Sequence, residues 1–300
     1  MMTNNFCVLA LGFFDGVHLG HGALLKRTAL RAYEKGLRSA VMTFDTHPDT
    51  LVRGERVELI NSAPDRAWLI RHYYDIDQVE FFRFTEETMR MPWRDFLDTI
   101  RADLGAVHFV VGYDFRFGYR GEGNAEALRA YCAENGLGCD VIDAVCVDDQ
   151  VVSSTYIRGL LKDGDMVTAA RFMGHPHILT DVVRHGKRLG RKLGAPTVNM
   201  QFAPGVLVPR RGVYVTRAHL REEVYTAVTN VGVRPTVSDE PVVSVESHLL
   251  DYDGNLYGRM IRLDFIEHIR DEIRFDSVEA LAAQIAADGV RARQIMEEHK

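Results

Sequence analysis

The fold of the first half of this 300-residue chain is decided by residues 6–21, which read FCVLALGFFDGVHLGH. The apolar run Phe6–Leu11 is typical of a buried parallel strand, and the leucine spacing over residues 23–35 predicts a helix. The turn between them therefore carries free amides and the positive end of a helix dipole, both of which favour an anion. This placement predicts a site for the phosphates of a nucleotide.

A His-x-Gly-His motif fills this turn. His18 and His21 lie on one side of the first helical turn, where both can donate hydrogen bonds to phosphate oxygens as negative charge grows on them. In the alternative interpretation, the histidines cap or pack the helix start and the glycines only make a turn. The combination of strand, turn, histidines and interior glycine favours phosphate binding. The turn residues expected at the nucleotide are Gly12, Phe13, Asp15, Gly16 and Gly20.

Length and composition set the broad class of the protein. A chain of 300 residues exceeds what one hydrophobic core usually supports, so two domains are expected, and a hydrophobic content of 46% suffices for both. The 36 basic and 42 acidic residues give a net charge of −6, which argues against a general nucleic-acid or membrane-surface binder. The start lacks a basic segment, and the cysteines form no Cys-x-x-Cys pair. We expect a cytoplasmic protein with reduced cysteines, either monomeric or weakly self-associating, that acts on small molecules.

Up to about residue 150, apolar runs alternate with amphipathic helical patterns, which indicates a Rossmann-like, doubly wound parallel sheet. Ligands of such sheets bind beyond the carboxyl ends of the strands. The HxGH turn, residues 43–48 and residues 112–118 each follow a predicted strand, so we expect their loops to share one crevice. The predicted strands are Phe6–Leu11, Ser39–Phe44, Gln78–Phe82, Val107–Val111 and Cys139–Val145.

Ser153-Ser154-Thr155 forms a second candidate phosphate site, just before a short helix over residues 156–162. Hydroxyl groups there can cap the helix amides or leave those amides to a phosphate, and Arg158 lies one turn further on. By itself the segment is typical of a capped helix with a solvated arginine. In the same domain as an HxGH motif, it becomes a candidate second clamp for a triphosphate.

After about residue 180 the pattern changes to closely spaced strands with turn signals, which indicates an antiparallel barrel or sandwich. The predicted strands are Val206–Val208, Val213–His219, Val224–Val231, Val242–Leu250 and Leu256–Phe265. A C-terminal helix follows, where Asp276-x-x-Glu279 is similar to a capping box. The helix face expected to pack on the barrel contains Val278, Leu281, Ile285, Val290 and Ile295.

The second half also carries three chemical features. Residues 184–192, RHGKRLGRK, form either a solvated basic loop or a loop that closes over nucleotide phosphates. Thr197 and Asn199 alternate along an extended segment, so their oxygens point to one side and suit Mg²⁺, unless they serve only as turn residues after Pro196. Glu246 lies in an apolar strand, where it needs a partner or serves as a general base.

The chain resembles the bacterial bifunctional riboflavin kinase/FMN adenylyltransferases, also called FAD synthetases, over essentially its full length. The resemblance implies an adenylyltransferase domain, residues 1–180, that joins AMP from ATP to FMN and releases pyrophosphate. It also implies a riboflavin kinase domain, residues 181–300, built on a six-stranded antiparallel barrel with a C-terminal helix, and an Mg²⁺ requirement. The matching motifs, in order, are GFFDGVHLGH, VGYDFRFG, SSTYIR, GRKLGAPTVN, TNVGVRPT, VESHLLDYDGNLYG and IRDEIRF.

The resemblance also implies roles for individual residues. His18 and His21 would polarise the nucleotide phosphates, Glu246 would be the base that deprotonates the ribityl hydroxyl of riboflavin, and Thr197 and Asn199 would bind Mg²⁺. Further residues implied at the adenylyltransferase nucleotide are Asp114, Ser154, Thr155 and Arg158. Those implied at the kinase phosphates are Gly190, Arg191, Lys192 and Gly194, and those near the flavin are Arg234, Pro235, Thr236, Arg270 and Arg274.

Some positions depart from the common family pattern. Val198 stands where alanine is usual, Ser247 where threonine is usual, and Thr46 where proline is commoner. One rival hypothesis is another HxGH nucleotidyltransferase, acting on a pantetheine or nicotinate nucleotide, with an unrelated barrel. A second is a flavin-binding regulatory protein with an inactive site. The PTVN and VESHLLD motifs argue against the first rival, and flavin binding without ATP turnover would favour the second.

Overall fold

A computed structural model of the chain describes residues 6–47, 50, 54, 57–185, 196–234 and 242–299. Backbone contacts divide the chain into two units, Met1–Ser154 and Thr155–Lys300. Each unit has its own sheet and its own hydrophobic core.

The first unit is built on a five-stranded parallel sheet. In chain order its strands are β1 (Cys7–Leu11), β2 (Arg38–Phe44), β3 (Gln78–Phe82), β4 (Ala106–Gly112) and β5 (Gly138–Ile142). The spatial order β3-β2-β1-β4-β5 places β1 at the centre, where all of its side chains are buried. Strands covered on both faces are continuous apolar runs, which is why the sequence located the mostly buried β1, β2 and β4 within one residue. The half-exposed edge strand β5 ends three residues before the predicted Val145. The predicted doubly wound fold is confirmed.

The helices that cover this sheet are α1 (Leu19–Lys35), α2 (Ala63–Tyr74), α3 (Glu86–Met89), α4 (Trp93–Leu104) and α5 (Ala125–Glu134). Helix α1 begins earlier than the predicted residue 23, so the second half of the HxGH motif lies inside its first turn. On one face of the sheet, Leu9 and Phe109 pack with Leu97 of α4 and Leu128 of α5. A short hairpin, β6 (Cys146–Val147) and β7 (Gln150–Val151), follows β5.

The second unit is a six-stranded antiparallel barrel. Its strands are β8 (His177–Val182), β9 (Val198–Met200), β10 (Gly212–Leu220), β11 (Glu223–Arg234), β12 (Val242–Leu249) and β13 (Met260–Arg270). The spatial order is β8-β13-β10-β11-β12-β9. Arg184, two residues after the end of β8, forms an isolated bridge with Asn199 of β9, and its amide lies 2.9 Å from the Asn199 carbonyl. This bridge closes the sheet, as expected for a barrel.

The predicted strand Val206–Val208 is wrong. After a turn at Pro204–Gly205, Val206 forms an isolated β-bridge, and Leu207 and Val208 continue as irregular chain. Leu207 is fully buried, so its apolar character reflects a core contact rather than strand pairing. A run of three apolar residues is too short for its periodicity to separate the two cases.

Three helices accompany the barrel: α6 (Ser154–Asp163), α7 (Met166–Met173) and α8 (Val278–Glu298). Helix α8 is capped by Ser277, whose hydroxyl accepts a hydrogen bond from the Ala280 amide at 3.1 Å. The predicted cap at Asp276 is therefore wrong by one residue, because both side chains are good caps and the backbone direction selects between them.

The predicted packing face of α8 is only partly correct. Ile295 is buried against Val215 and Ile266 of the barrel. Val278 and Val290, however, are 59% and 58% exposed. The buried side of the helix instead includes a charged residue, Asp288, which no apolar periodicity can indicate.

Candidate active sites

A cavity of about 300 Å³ lies beyond the carboxyl ends of β1, β4 and β5. It brings together the HxGH turn and the loop after β4, as predicted for a crevice of a parallel sheet. Residues 43–48 were expected in the same crevice; residues 43–47 do not line it, and Pro48 lies outside the described part of the chain. The residues around the cavity include Gly12, Phe13, His18, Gly20, His21, Asp114, Asp143 and Ser154.

The two histidines of the motif are stacked. Their ring centroids are 3.6 Å apart with an interplanar angle of 13°. His18 is the N-cap of α1, and its Nδ1 accepts a hydrogen bond from the His21 amide at 3.3 Å. The Nδ1 atom of neutral His18 is therefore the unprotonated one, which assigns the ring proton to Nε2. His18 both caps the helix and keeps a donor for a phosphate, so the two interpretations of the motif are compatible.

Three effects lower the pKa of His21 well below its usual range. Burial is the largest, followed by the charges of His18 and Arg66. Imidazoles stacked this closely disfavour simultaneous protonation. His21 is consequently neutral at physiological pH, and its buried Nδ1 has no hydrogen-bond partner among the described residues.

The backbone of the turn is held by Asp15. Its carboxylate accepts hydrogen bonds from the amides of Ile60 at 2.9 Å and Asn61 at 3.4 Å. Its carbonyl accepts a hydrogen bond from the Ser154 hydroxyl at 2.9 Å. Gly16 has a φ of 78°, and a Cβ there would lie 2.8 Å from Ile60, so the turn requires glycine at this position.

The other residues predicted to bind the nucleotide of the adenylyltransferase lie in two segments of the chain. Asp114 is exposed and lines the cavity. Ser154 begins α6, so Arg158 lies one turn further along the same helix face, and Thr155 is exposed in the first turn. Thr155 and Arg158 are counted with the second unit of the chain.

A second cavity, of about 290 Å³, lies on the outer face of the barrel beneath α8. Strand register places five residues in one row across this face: Asn199 pairs with Glu246, Glu246 with Asn230, Asn230 with Val213, and Val213 with Arg270. Side chains of directly opposed residues project to the same face of a sheet. The barrel thus aligns three predicted kinase residues that are up to 71 positions apart in the chain, from Asn199 to Arg270.

Thr197 lies where two cavities meet. It lines the 290 Å³ cavity together with Glu246, and also a smaller cavity of about 50 Å³ that Asn199, Asn255 and Tyr257 help to form. Asn199 is buried, with 7% of its surface exposed. A group placed at Thr197 can therefore contact ligands from both sides.

Arg270 is held by the C-terminal helix. Its Nη2 and Nε atoms donate to the buried Asp288 carboxylate at 2.7 and 3.1 Å, and Gln284 donates to the same carboxylate at 2.8 Å. Arg274 is exposed and does not line the cavity. Asn230 and Asp288 are lining residues that the sequence did not assign, although Asn230 lies inside the TNVGVRPT motif.

Several predicted residues lie outside the described part of the chain. They are Gly190, Arg191, Lys192 and Gly194 of the basic loop, together with Pro235 and Thr236. The side chain of Arg234 also belongs to this group, although its backbone ends β11.

No cluster of three or more His, Cys, Asp or Glu side chains suited to a metal ion occurs among the described residues. The oxygens of Thr197 and Asn199 nevertheless fit a cation of the magnesium type. They are hard ligands on one side of a strand, and Mg²⁺ commonly takes its other ligands from substrate phosphates and water.

Comparison with known proteins decides the family. Models of two families match the chain: FAD synthetase over residues 1–156 and riboflavin kinase over residues 173–296. Relatives described as bifunctional riboflavin kinase/FMN adenylyltransferase occur in Pseudomonas fluorescens (36% identity over 96% of this chain and 93% of the relative) and Escherichia coli (34% over 96% and 92%). The relative from Listeria monocytogenes is 32% identical over 94% of this chain and 90% of its own.

The chain belongs to the bifunctional riboflavin kinase/FMN adenylyltransferase family. It is a transferase that makes FMN from riboflavin and FAD from FMN, with ATP as co-substrate. The rival hypothesis of a pantetheine or nicotinate nucleotidyltransferase with an unrelated barrel is wrong, because the riboflavin kinase model covers the barrel.

A solved structure supports the fold of this family member. A crystal structure from Streptococcus pneumoniae, described as a macrolide-efflux protein, has a TM-score of 0.85 and 27% sequence identity. The match covers 97% of this chain and 95% of that one. Within the described ranges of this family member, no helix is long and apolar enough to cross a membrane.

Proposed function

We propose that FAD is synthesised in the cavity at the HxGH turn and that FMN is synthesised in the cavity under α8. The observation that carries this assignment is the grouping of the predicted residues. His18 and His21 line the first cavity, and Thr197, Glu246 and Arg270 line the second.

In the adenylyltransferase site, the phosphate of FMN attacks the α-phosphorus of ATP and pyrophosphate leaves. A phosphate nucleophile is already ionised, so the site needs in-line positioning and charge stabilisation rather than a base. His18 donates a hydrogen bond from Nε2 to a phosphate oxygen, and the stacked His21 keeps its ring in place. We assign Ser154, Thr155 and Arg158 at the start of α6 to the same triphosphate, and Asp114 to the nucleotide.

In the kinase site, the nucleophile is a neutral ribityl hydroxyl, whose proton must leave as it attacks the γ-phosphorus. Glu246 accepts that proton as general base. The meeting of two cavities at Thr197 supports this arrangement, because a phosphoryl group crosses between two ligands: the terminal phosphate of ATP enters at the smaller cavity, and riboflavin occupies the larger.

We further propose that Thr197 and Asn199 hold Mg²⁺ together with the ATP phosphates. When bound, the ion offsets phosphate charge in both ground and transition states. We retain residues 1–180 and 181–300 as the two functional domains, which gives α6 to the adenylyltransferase. A cytoplasmic location is supported by the four cysteines, none of which forms a disulfide in the structure.

A pair of site variants tests the assignment. Incubated with riboflavin, ATP and Mg²⁺, His21→Ala should accumulate FMN without FAD. Glu246→Gln should make no FMN from riboflavin but still convert added FMN to FAD, and chromatographic separation of the flavins measures both. Loss of the same half-reaction in both variants, either riboflavin to FMN or added FMN to FAD, would refute the assignment. Flavin binding without ATP turnover in the unmodified chain would favour a regulatory protein.

A further inference from the structure

Arg66 of α2 lies outside all seven motifs, yet it contacts the HxGH turn. It is the largest of the fully buried side chains among the described residues. An arginine is almost never fully buried unless it is paired or has a specific function. Its surroundings therefore need an explanation.

The guanidinium group of Arg66 joins the ends of three strands. Nη1 donates to the Phe13 carbonyl at 2.7 Å and to the Thr43 hydroxyl at 3.2 Å, and Nη2 donates to the Phe44 carbonyl at 3.0 Å. The Thr43 hydroxyl donates to the same Phe13 carbonyl at 2.7 Å. The guanidinium carbon lies 4.5 Å from the ring centroid of Phe13 and 5.3 Å from that of Phe81.

Within the described part of the chain, no contacting carboxylate neutralises the positive charge of Arg66. In the described ranges no Asp or Glu oxygen forms an ion pair with it, while Asp15 and Asp45 act from a greater distance. Burial lowers the pKa of Arg66 to about 10, so the group stays protonated at neutral pH. Carbonyl dipoles and aromatic faces solvate the cation, and positive potential therefore persists behind the turn.

Two residues transmit the effect of Arg66 to the cavity. Phe13 and His21 both line it. Phe13 is held through its carbonyl and its ring, and its far side contacts the His47 ring at 4.7 Å. Among the described residues, the charges that act on His21 are those of His18 on α1 and Arg66 on α2.

Resting on the proposed assignment of FAD formation to this cavity, we propose that Arg66 is a positioning residue for that reaction. It fixes Phe13 at the wall of the nucleotide cavity and adds positive potential where His21 meets the triphosphate. The planar fork reaches the Phe13 and Phe44 carbonyls together. A lysine keeps the charge but cannot span both acceptors in the same geometry. A glutamine keeps one donor and removes the charge.

The test uses the full chain with Arg66→Lys, Arg66→Gln and the matched control Arg71→Gln, which replaces an exposed arginine of the same helix. Steady-state FAD formation from FMN and ATP is measured across pH 5.5–9. FMN formation from riboflavin in the same preparations serves as the internal control. Tryptophan fluorescence monitors the folding of the first unit, because Trp68 and Trp93 both lie there.

We expect Arg66→Lys to lower kcat/KM for FAD formation about 10- to 100-fold, the effect of losing a charge-assisted hydrogen bond, with the acid limb of the pH profile unmoved. Arg66→Gln should lower it further and move the acid limb to higher pH, because the pKa of His21 rises when a neighbouring positive charge is removed. Arg71→Gln and all FMN formation should be unchanged.

A kcat/KM at the wild-type value in Arg66→Lys would overturn the proposal. So would losses in both variants that match the unfolded fraction while the pH profile stays fixed, since these indicate a structural role only. If Arg66→Gln does not fold, the result for Arg66→Lys tests the proposal by itself. A folded first unit with a lowered kcat/KM for FAD formation and an unchanged acid limb of the pH profile supports the proposal.

Discussion

His177 should make the barrel unit sensitive to acid. This histidine begins β8, is 1% exposed, and neither ring nitrogen has a hydrogen-bond partner among the described residues. Its ring lies 6.1 Å from that of Phe202 and 5.6 Å from that of Phe265. Burial, with a smaller effect of the charge of His175, lowers the pKa of His177 from 6.5 to about 3.

The sign and size of the effect follow from proton linkage. Between pH 6.5 and about 3, the unfolded chain binds a proton at His177 and the native chain does not, so the free energy of unfolding falls as the pH is lowered. The contribution is fully present above pH 6.5 and is lost towards pH 3. At pH 4.5, two units below the unfolded value, the loss is about 3 kcal/mol, at about 1.4 kcal/mol per pH unit.

Replacement of His177 by phenylalanine tests this directly. A third aromatic ring suits the contacts with Phe202 and Phe265 and cannot titrate. Urea unfolding followed by far-ultraviolet circular dichroism at pH 7.5 and 4.5 gives the free energies. We expect the advantage of His177→Phe over the unmodified chain to grow by about 3 kcal/mol between the two pH values. His72→Phe, at an exposed position, should show no such growth. An advantage that is equal at both pH values would refute the reasoning.

Two further predictions concern the two sites. Asp288→Asn removes the charge that holds Arg270 in the kinase cavity, so KM for riboflavin should rise about tenfold. Conversion of added FMN to FAD should stay constant, and an equal loss of both activities would contradict this prediction. Gly16→Ala places a Cβ 2.8 Å from Ile60 at a φ of 78°, whereas Gly36→Ala, at a φ of 63°, meets no atom within 4 Å. Gly16→Ala should lower the midpoint of thermal unfolding by several degrees more than Gly36→Ala, since each kcal/mol of lost stability lowers the midpoint by about 2–4 °C. Identical midpoints would argue against the contact with Ile60.

The parallel sheet of the first unit was predictable because its inner strands β1, β2 and β4 are mostly buried, so their apolar runs are nearly continuous along the chain. The short strands were not. β9 spans only Val198–Met200, and Val206–Val208 has the composition of a strand but forms only one isolated bridge, at Val206, beside the buried Leu207. In runs of this length, periodicity cannot distinguish pairing from burial.

The candidate sites divide in the same way. The HxGH turn was found because its chemistry is local: histidines, glycines and a helix start lie within ten residues. Arg66 and Asp288 could not be found in this manner. In the sequence, Arg66 and Asp288 look like ordinary charged residues of a helix. Each becomes part of a site only because the fold buries it against distant strands.

The sequence alone predicted a phosphate site at a strand-to-helix turn, an antiparallel barrel or sandwich after it, and, through the family resemblance of its ordered motifs, flavin and ATP as the substrates. Local spacing suffices for this, because amide direction and helix dipole are set within one turn. The tertiary structure alone decided that Asn199, Glu246 and Asn230 share a row on the barrel and that Arg66 lies behind the HxGH turn. Strand register and burial of charge are properties of contacts between distant residues, and no local pattern encodes them.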